Sequence, residues 1–128
     1  MKTIDVVCGV IKDEKDRYLL TQRGDKDFFG IWEFPGGKVE KNEKYETSIK
    51  RELFEELSIN IEPQQVLYTF VHEKEDLSIN LIFIECLYFN EPIKLNEHLD
   101  YKWFTKKEMI KLSCHEGDQK FINYIQNV

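Results

Sequence analysis

The chain has 128 residues, of which 41% are apolar and 33% charged, and its net charge is −6 at neutral pH. This length suits one domain with a real hydrophobic core, so we predict a single domain over residues 1–128. The composition excludes a disordered chain, and an acidic balance without a basic stripe argues against general nucleic-acid binding. The first residues form no secretory apolar stretch and no apolar run is long enough to cross a bilayer, so we expect a cytoplasmic protein.

The first half of the chain predicts three strands and a helix. Two apolar, β-branched stretches at 4–11 and 18–22 flank a charged turn, which predicts a hairpin. A short strand at 31–34 ends at the breaker Pro35-Gly36-Gly37. From residue 44 to 57 apolar residues recur at helical spacing, with Asn42 as the candidate N-cap.

The second half predicts three strands and two helices. Strands at 65–72 and 77–89 are separated by a charged turn, and a third strand follows at 101–104. Thr105 and Glu108 have the spacing of a capping box, which predicts a helix over 106–112, and an amphipathic helix ends the chain. The order β-β-β-α-β-β-β-α-α indicates an α/β (α+β) domain with a mixed sheet between helices.

Three glutamates carry the main chemical signal. Glu52, Glu55 and Glu56 are spaced by three and four residues, so a helix places them on one face, opposite its apolar stripe. Like charges this close destabilise a helix unless cations neutralise them, and Mg²⁺ or Mn²⁺ prefers carboxylate oxygens. The neighbouring Arg51 can hold one carboxylate as a bidentate pair, and Pro35-Gly36-Gly37 lets backbone carbonyls approach a ligand. These features predict a metal site, and the alternative is a solvated glutamate-rich helix.

The spacing around this cluster extends it into a longer pattern. Gly37 is followed after five residues by Glu43, and after seven more by the segment Arg51-Glu52-Leu53-Phe54-Glu55-Glu56-Leu57-Ser58-Ile59. The pattern resembles the Nudix box of the Nudix hydrolases, and residues 6–11, 19–23 and 32–38 are similar to MutT-like members of that family. Ser58 departs from the box, which has glycine there. We expect serine in a left-handed helix cap to cost about 1 kcal/mol of stability and no chemistry.

The resemblance implies an α/β/α sandwich that holds Mg²⁺, or Mn²⁺ in its place. By position, the Gly36 carbonyl, Glu55 and Glu56 would be metal ligands, and Glu52 would be a ligand or the general base. Together with Arg51 these glutamates form the expected catalytic set. Glu97 matches a further glutamate that contributes to metal binding or catalysis, and the alternative is a solvated loop residue.

The resemblance also implies substrate contacts at Arg23, Phe34, Lys38 and Asp118. Arg23 matches a substrate-contacting arginine and Lys38 lies where it can reach phosphates, and the alternative for each is an ordinary surface cation. Asp118 falls where relatives recognise the base. An ionised carboxylate there would accept hydrogen bonds from cytosine N4 or from guanine N–H groups, and the alternative is an N-cap of the last helix.

Two further features bear on the base. Leu77 stands near the place where the MutT-like enzymes tend to have a nucleotide-contacting arginine, which weakens the expectation of an 8-oxo-dGTP specialist. Phe28, Phe29 and Trp32 supply either aromatic contact to a base or core packing.

The implied reaction is hydrolysis of a (deoxy)nucleoside triphosphate to the monophosphate and pyrophosphate, for either 8-oxo-dGTP removal or CTP and dCTP turnover. Alternative substrates are ADP-ribose, dinucleoside polyphosphates or capped RNA, and a different class is a nucleotide-sensing module without catalysis. We expect a nucleotide as the only partner, with no nucleic acid and no membrane, and either a monomer or a homodimer.

Overall fold

The computed structural model describes residues 2–128. Its strands are β1 (Lys2–Val10), β2 (Tyr18–Gln22), β3 (Trp32–Glu33), β4 (Gly36–Lys38), β5 (Ile61–Lys74), β6 (Leu77–Tyr88) and β7 (Asp100–Phe104). Its helices are α1 (Tyr45–Leu57), α2 (Lys106–Ile110) and α3 (Glu116–Ile125), with a 3₁₀ turn at Lys26–Phe28. The predicted element order is confirmed, and β4 is an addition. Within residues 2–128, no helix is both long and apolar enough to span a membrane.

The strands form two sheets. A mixed sheet has the order β4-β1-β6-β5, in which β1 is parallel to β6 and the other pairs are antiparallel. Strands β3, β2 and β7 form a smaller antiparallel sheet. Because side chains alternate along a strand, Val7 packs in the same cluster as Leu53 of α1, whereas Cys8 packs in the cluster that contains Phe121 of α3. The mixed sheet therefore lies between helices, which confirms the predicted α/β/α sandwich.

The predicted hairpin of the first two strands is present only beside its turn. There Lys12 pairs with Tyr18 in an antiparallel bridge and the Leu19 N–H donates to the Ile11 carbonyl at 3.0 Å. Strands β1 and β2 themselves belong to different sheets. The reason is that β1 is apolar on both faces, with Val7 and Cys8 both buried, so it occupies a central position between β4 and β6.

The segment predicted as a strand breaker is itself a strand. Gly36 pairs with Cys8 and Gly37 pairs with Val7, so β4 extends the mixed sheet. A side chain on Gly36 would collide with the Val7 carbonyl oxygen, and one on Gly37 would collide with the Glu52 carboxyl group. Glycine is required at Gly36, where the obstructing atom belongs to the backbone, whereas at Gly37 a side chain would displace the end of the Glu52 side chain.

Helix α1 begins one residue later than predicted, and Asn42 is not its N-cap. The N-cap is Lys44, which makes no side-chain capping bond. Asn42 instead has a φ of 64°, which suits a turn in which the Glu43 N–H bonds to the Glu40 carbonyl at 3.0 Å. At the other end, Ser58 has the predicted left-handed conformation, with φ 58° and ψ 32°. The capping box of Thr105 and Glu108 is confirmed.

Candidate active site

Arg51 organises the start of the site by joining α1 to the loop before it. Its Nε and Nη2 groups donate to the two Glu43 oxygens at 2.8 and 2.9 Å, and its Nη1 group donates to Glu52 at 2.9 Å. Nη2 also donates to the Lys38 carbonyl at 3.1 Å. The hydrogen bond from Arg51 lowers the pKa of Glu43 to about 2. The bidentate pair predicted for Arg51 is thus present, and its partner is Glu43.

Glu56 is the most buried carboxyl group on α1, with only 5% of the residue exposed. Its Oε1 accepts a hydrogen bond from the Gly36 N–H at 3.2 Å, so the helix and β4 meet at this atom. Burial, followed by the charges of Glu52, Glu33 and Glu97, raises the pKa of Glu56 to about 9. The protonated form is favoured at neutral pH unless a cation replaces the proton.

The other two helix glutamates differ in their surroundings. Burial raises the pKa of Glu52, an effect that its hydrogen bond from Arg51 partly offsets. Glu52 lies beneath Gly37, where a Cβ atom would meet its carboxyl group. The Glu55 side chain is 51% exposed, and its carboxylate lies 3.4 Å from Arg51 Nη1. One face of α1 therefore presents carboxyl groups from the interior to the surface, as the spacing predicted.

A first cavity of about 300 Å³, here called the carboxylate cavity, brings four predicted residues together. Its lining comprises Arg23, Gly24, Asp25, Glu33, Gly36, Glu56, Glu97 and His98. Arg23 donates to Asp25 at 2.8 Å and forms an ion pair with Glu33 at 3.6 Å. Glu97 lies on an exposed loop, and its charge contributes to the raised pKa values of Glu52 and Glu56. Gly36, Glu56, Glu97 and Arg23 are thus neighbours in space.

A second cavity of about 510 Å³, here called the aromatic cavity, adjoins the first. Both are lined by Arg23, Glu33 and Gly36. The aromatic cavity adds Phe28 and Phe34, and its other lining residues include Leu81, His72, Lys74, His115, Glu116 and Asp118. The Phe28 ring contacts two groups: its centroid lies 4.7 Å from the Arg23 guanidinium and 5.0 Å from the centroid of the His115 ring.

Asp118 is buried in the wall of the aromatic cavity, with 5% of the residue exposed. It is the third residue of α3, whose N-cap is His115, so the alternative of an N-cap is wrong. Burial, followed by the charge of Glu33, raises the pKa of Asp118 well above its ordinary value, and a hydrogen bond with the Phe34 backbone offsets this in part. Burial therefore favours the neutral acid, which donates as well as accepts a hydrogen bond.

The aromatic residues divide between the two predicted roles. Phe34 is buried in edge contacts with Phe83 and Phe121 and also lines the aromatic cavity. Trp32 is a core residue packed edge-on against Phe104. Phe28 is partly exposed in the cavity wall, whereas Phe29 is largely exposed.

Two further cations lie near the site. Lys38 lines a third cavity together with Asp5 and Glu40, and its contact with phosphates stays a prediction. Lys74, which sequence reasoning missed, lines the aromatic cavity and pairs with Leu77 across the β5–β6 turn. A cation is therefore present beside the position where arginine was expected.

Glu33 and His98 are also residues of the site that sequence reasoning missed. His98 Nε2 lies 2.9 Å from Glu33 Oε2, although the two residues are 65 positions apart. The available signal for Glu33 was its place in the stretch Trp32-Glu33-Phe34-Pro35-Gly36, where alternation with the buried Trp32 turns it away from the core. His98 follows Glu97, and we find no pattern in the sequence that distinguishes it.

The residues present fit a hard divalent cation. Glu52 and Glu56 are buried enough to raise both pKa values, and their nearby donors are carboxylate and backbone oxygens of the kind Mg²⁺ prefers. Among residues 2–128 no group of three or more His, Cys, Asp or Glu side chains already has metal-binding geometry. The Glu52 carboxylate is instead held by Arg51, and that of Glu56 by the Gly36 N–H.

Comparison with known proteins agrees with this geometry. The NUDIX domain model matches residues 2–125. A CTP pyrophosphohydrolase of Escherichia coli K12 is 34% identical over 92% of this chain and 87% of its own length. An 8-oxo-dGTP diphosphatase of Buchnera aphidicola is 30% identical over 97% of this chain and 86% of its own. The crystal structure of a MutT protein from Methanosarcina mazei has a TM-score of 0.87 at 25% identity, covering 98% of this chain and 94% of that one.

Proposed function

The chain belongs to the Nudix hydrolase family, and from that premise we propose that it hydrolyses a (deoxy)nucleoside triphosphate to the monophosphate and pyrophosphate. The observation that carries this proposal is the pair of adjoining cavities that share Arg23, Glu33 and Gly36. One cavity is lined by carboxylates suited to a metal-bound phosphate chain, and the other by aromatic rings and a buried acid suited to a base. A nucleotide has the same two-part chemistry, with its sugar at the junction.

Glu52, Glu55, Glu56, Glu97 and the Gly36 carbonyl are the proposed ligands of Mg²⁺, with Mn²⁺ as a substitute. The cation would supply charge neutralisation at the phosphates and a more acidic bound water. The protein's own part is to hold the carboxylates in place. Arg51 fixes Glu52 through its hydrogen bond at 2.9 Å, and the Gly36 N–H fixes Glu56 at 3.2 Å. Glu52 serves as a ligand or as the base that accepts the proton of the attacking water.

Asp118 is the proposed base-recognition residue. A neutral carboxyl group offers one donor and one acceptor, which complement N3 and N4 of cytosine or O6 and N1–H of guanine. This supports CTP-type and 8-oxo-dGTP-type substrates alike, in keeping with the names of the two relatives. Phe28 is the proposed aromatic contact because its ring is partly exposed in the same cavity.

A substrate panel tests the proposal. Purified protein is incubated with CTP, dCTP, 5-methyl-dCTP, 8-oxo-dGTP or dGTP, with Mg²⁺ or with EDTA, and pyrophosphate release is measured. We expect Mg²⁺-dependent release of pyrophosphate from at least one of them. ADP-ribose, a dinucleoside polyphosphate and capped RNA extend the panel. If only these last compounds are hydrolysed, the protein is a hydrolase of another substrate class. If nucleotides bind and no product forms, the result favours a nucleotide sensor.

Two substitutions test the assigned residues. Glu52→Gln and Glu56→Gln each replace a carboxyl group by an amide of similar size that cannot become an anionic ligand or accept a proton, and we expect each to lower kcat by roughly 10²-fold or more. Glu46→Gln is the matched control, because Glu46 is an exposed glutamate in the first turn of the same helix. Rates near those of the control in both variants would contradict the catalytic assignment.

The single domain over residues 1–128, the monomer or homodimer and the cytoplasmic location stay predictions. Light scattering coupled to size-exclusion chromatography distinguishes the two oligomeric states.

A further inference from the structure

His98 is a buried histidine in the wall of the carboxylate cavity, and its side chain is only 7% exposed. The loop that carries it is fixed on both sides. The Asn96 N–H donates to the Glu56 carbonyl at 3.0 Å, and the Leu99 N–H donates to the Gln22 carbonyl at 2.8 Å. These two bonds hold His98 between the end of α1 and the end of β2, next to Arg23.

One ring nitrogen of His98 has a partner and the other has none. Because a carboxylate only accepts hydrogen bonds, Nε2–H donates to Glu33 Oε2 at 2.9 Å. The Nδ1 atom is buried without a hydrogen-bond partner among the described residues. An unsatisfied buried polar atom lowers stability, so packing alone does not explain a histidine here. The hydrogen bond to Glu33 is therefore the interaction that favours histidine at position 98.

Glu33 stands where the two cavities meet. Its second oxygen, Oε1, lies 3.6 Å from Arg23 Nη1, and His115 Nε2 lies 3.8 Å from the same oxygen. The opposite edge of the Arg23 guanidinium is held by Asp25 at 2.8 Å, and the Arg23 guanidinium lies 4.7 Å from the Phe28 ring. Asp25 is exposed, whereas Glu33 is mostly buried. Asp25 makes the shorter, bidentate contact at the exposed edge of the guanidinium, and Glu33 is its buried partner on the side of the cavities.

We propose that His98 is a positioning residue for nucleotide binding, which acts by fixing Glu33 and, through it, the Arg23 guanidinium at the junction of the two cavities. His98 itself touches no nucleotide in this scheme. Arg23 supplies the contact, and the buried His98–Glu33 hydrogen bond restricts where its charge can lie. This inference rests on the proposed function, because it assigns Arg23 to substrate.

The first measurement needs no substrate. His98→Leu removes the Nε2–H donor at similar volume, whereas His98→Gln retains an N–H at nearly the same place. We expect exchange of the Arg23 guanidinium protons with water, measured by NMR on the free protein, to accelerate about fivefold in His98→Leu and to stay near the wild-type rate in His98→Gln. Unchanged exchange in His98→Leu would overturn the inference, whether or not the protein hydrolyses any nucleotide.

The second measurement is a double-mutant cycle on the best substrate of the panel. We expect His98→Leu to raise KM about tenfold with kcat within about twofold, and His98→Gln to restore KM. In an Arg23→Ala background, His98→Leu should change KM by less than about twofold, because the residue through which it acts is gone. A general loss of stability would lower the amount of active protein in both backgrounds alike. If His98→Leu raised KM by the same factor with and without Arg23, the two residues would act independently and the inference would be overturned.

The outcomes separate the inference from the proposed function. If the wild-type protein cleaves no nucleotide, the proposed function fails. The exchange measurement still tests whether His98 restrains the Arg23 guanidinium. Thermal unfolding of each variant checks its fold. If His98→Leu does not fold, His98→Asn replaces it, since asparagine cannot reach Glu33 from the Nε2 position.

Discussion

Ser58, at the C-terminal end of α1, allows a quantitative test of how the Nudix box tolerates a residue other than glycine. Ser58 has φ 58°, a conformation that disfavours residues with a Cβ atom. Its hydroxyl oxygen accepts a hydrogen bond from Asn96 Nδ2 at 3.0 Å, and the same amide group donates to the Glu55 carbonyl at 2.9 Å. Serine therefore forms a bond to the loop that glycine cannot form.

The backbone strain at Ser58 and the hydrogen bond of its hydroxyl group have free energies of similar magnitude and opposite sign. Replacing Ser58 by glycine relieves about 1 kcal/mol of backbone strain and removes a partly exposed hydrogen bond that contributes about 0.5–1 kcal/mol. We therefore expect Ser58→Gly to change the free energy of unfolding by less than about 0.5 kcal/mol. Ser58→Ala retains the strain and loses the bond, so it should be less stable by about 1 kcal/mol, which corresponds to a drop in Tm of about 4 °C.

Urea unfolding of the metal-free protein measures these differences, with Asn96→Ala as the partner variant in a double-mutant cycle. The Ser58→Ala effect should largely vanish when Asn96 is absent, because the donor is gone. If Ser58→Gly raised the free energy of unfolding by more than about 1 kcal/mol and Ser58→Ala had no effect, the hydroxyl bond would contribute nothing. Serine would then be a plain stability cost, as the sequence alone suggested.

Two other predictions concern the carboxyl groups. Gly37→Ala should lower kcat by roughly tenfold or more with little change in Tm, because its Cβ atom would displace the Glu52 carboxyl group, and steady-state kinetics with thermal unfolding check this. The pKa of Glu56 is about 9 in the folded protein against 4.5 in the unfolded chain. Between these pH values Glu56 keeps its proton in the folded protein and has lost it in the unfolded chain. In EDTA, the free energy of unfolding should therefore fall as the pH rises from about 5 to 9, and Glu56→Gln should flatten the slope. A rise over this range would contradict the burial of Glu56.

Local patterns in the sequence predict the elements well. The apolar stripe of α1, with Ile49, Leu53 and Leu57 all buried, gave both its length and its core-facing side. The capping box of Thr105 and Glu108 located the start of α2, because both bonds join residues three positions apart. Such signals lie within one turn of chain, where spacing alone determines which atoms meet.

Strand partners and cavity walls follow from contacts that are distant in sequence. Strand β1 pairs in parallel with β6, with Lys2 opposite Leu77, and no alternation pattern specifies a partner so far away. The same holds for His98 and Glu33, which meet only after β2, β3 and the loop before β7 have assembled. The identity of Asp118 was visible in the sequence, but the rise in its pKa depends on burial, which only the packing of α3 establishes.

The acidic groups of the site form one electrostatic unit. Glu33 raises the pKa of both Glu56 and Asp118, so its charge is felt in the carboxylate cavity and in the aromatic cavity. Burying several acids together in a chain of net charge −6 opposes folding, and the backbone hydrogen bonds of Glu56 with Gly36 and of Asp118 with Phe34 offset this only in part. A cation in the carboxylate cavity and a hydrogen-bonding base in the aromatic cavity would each offset part of this unfavourable free energy. A metal-bound nucleotide would bring both, which is in keeping with the proposed function.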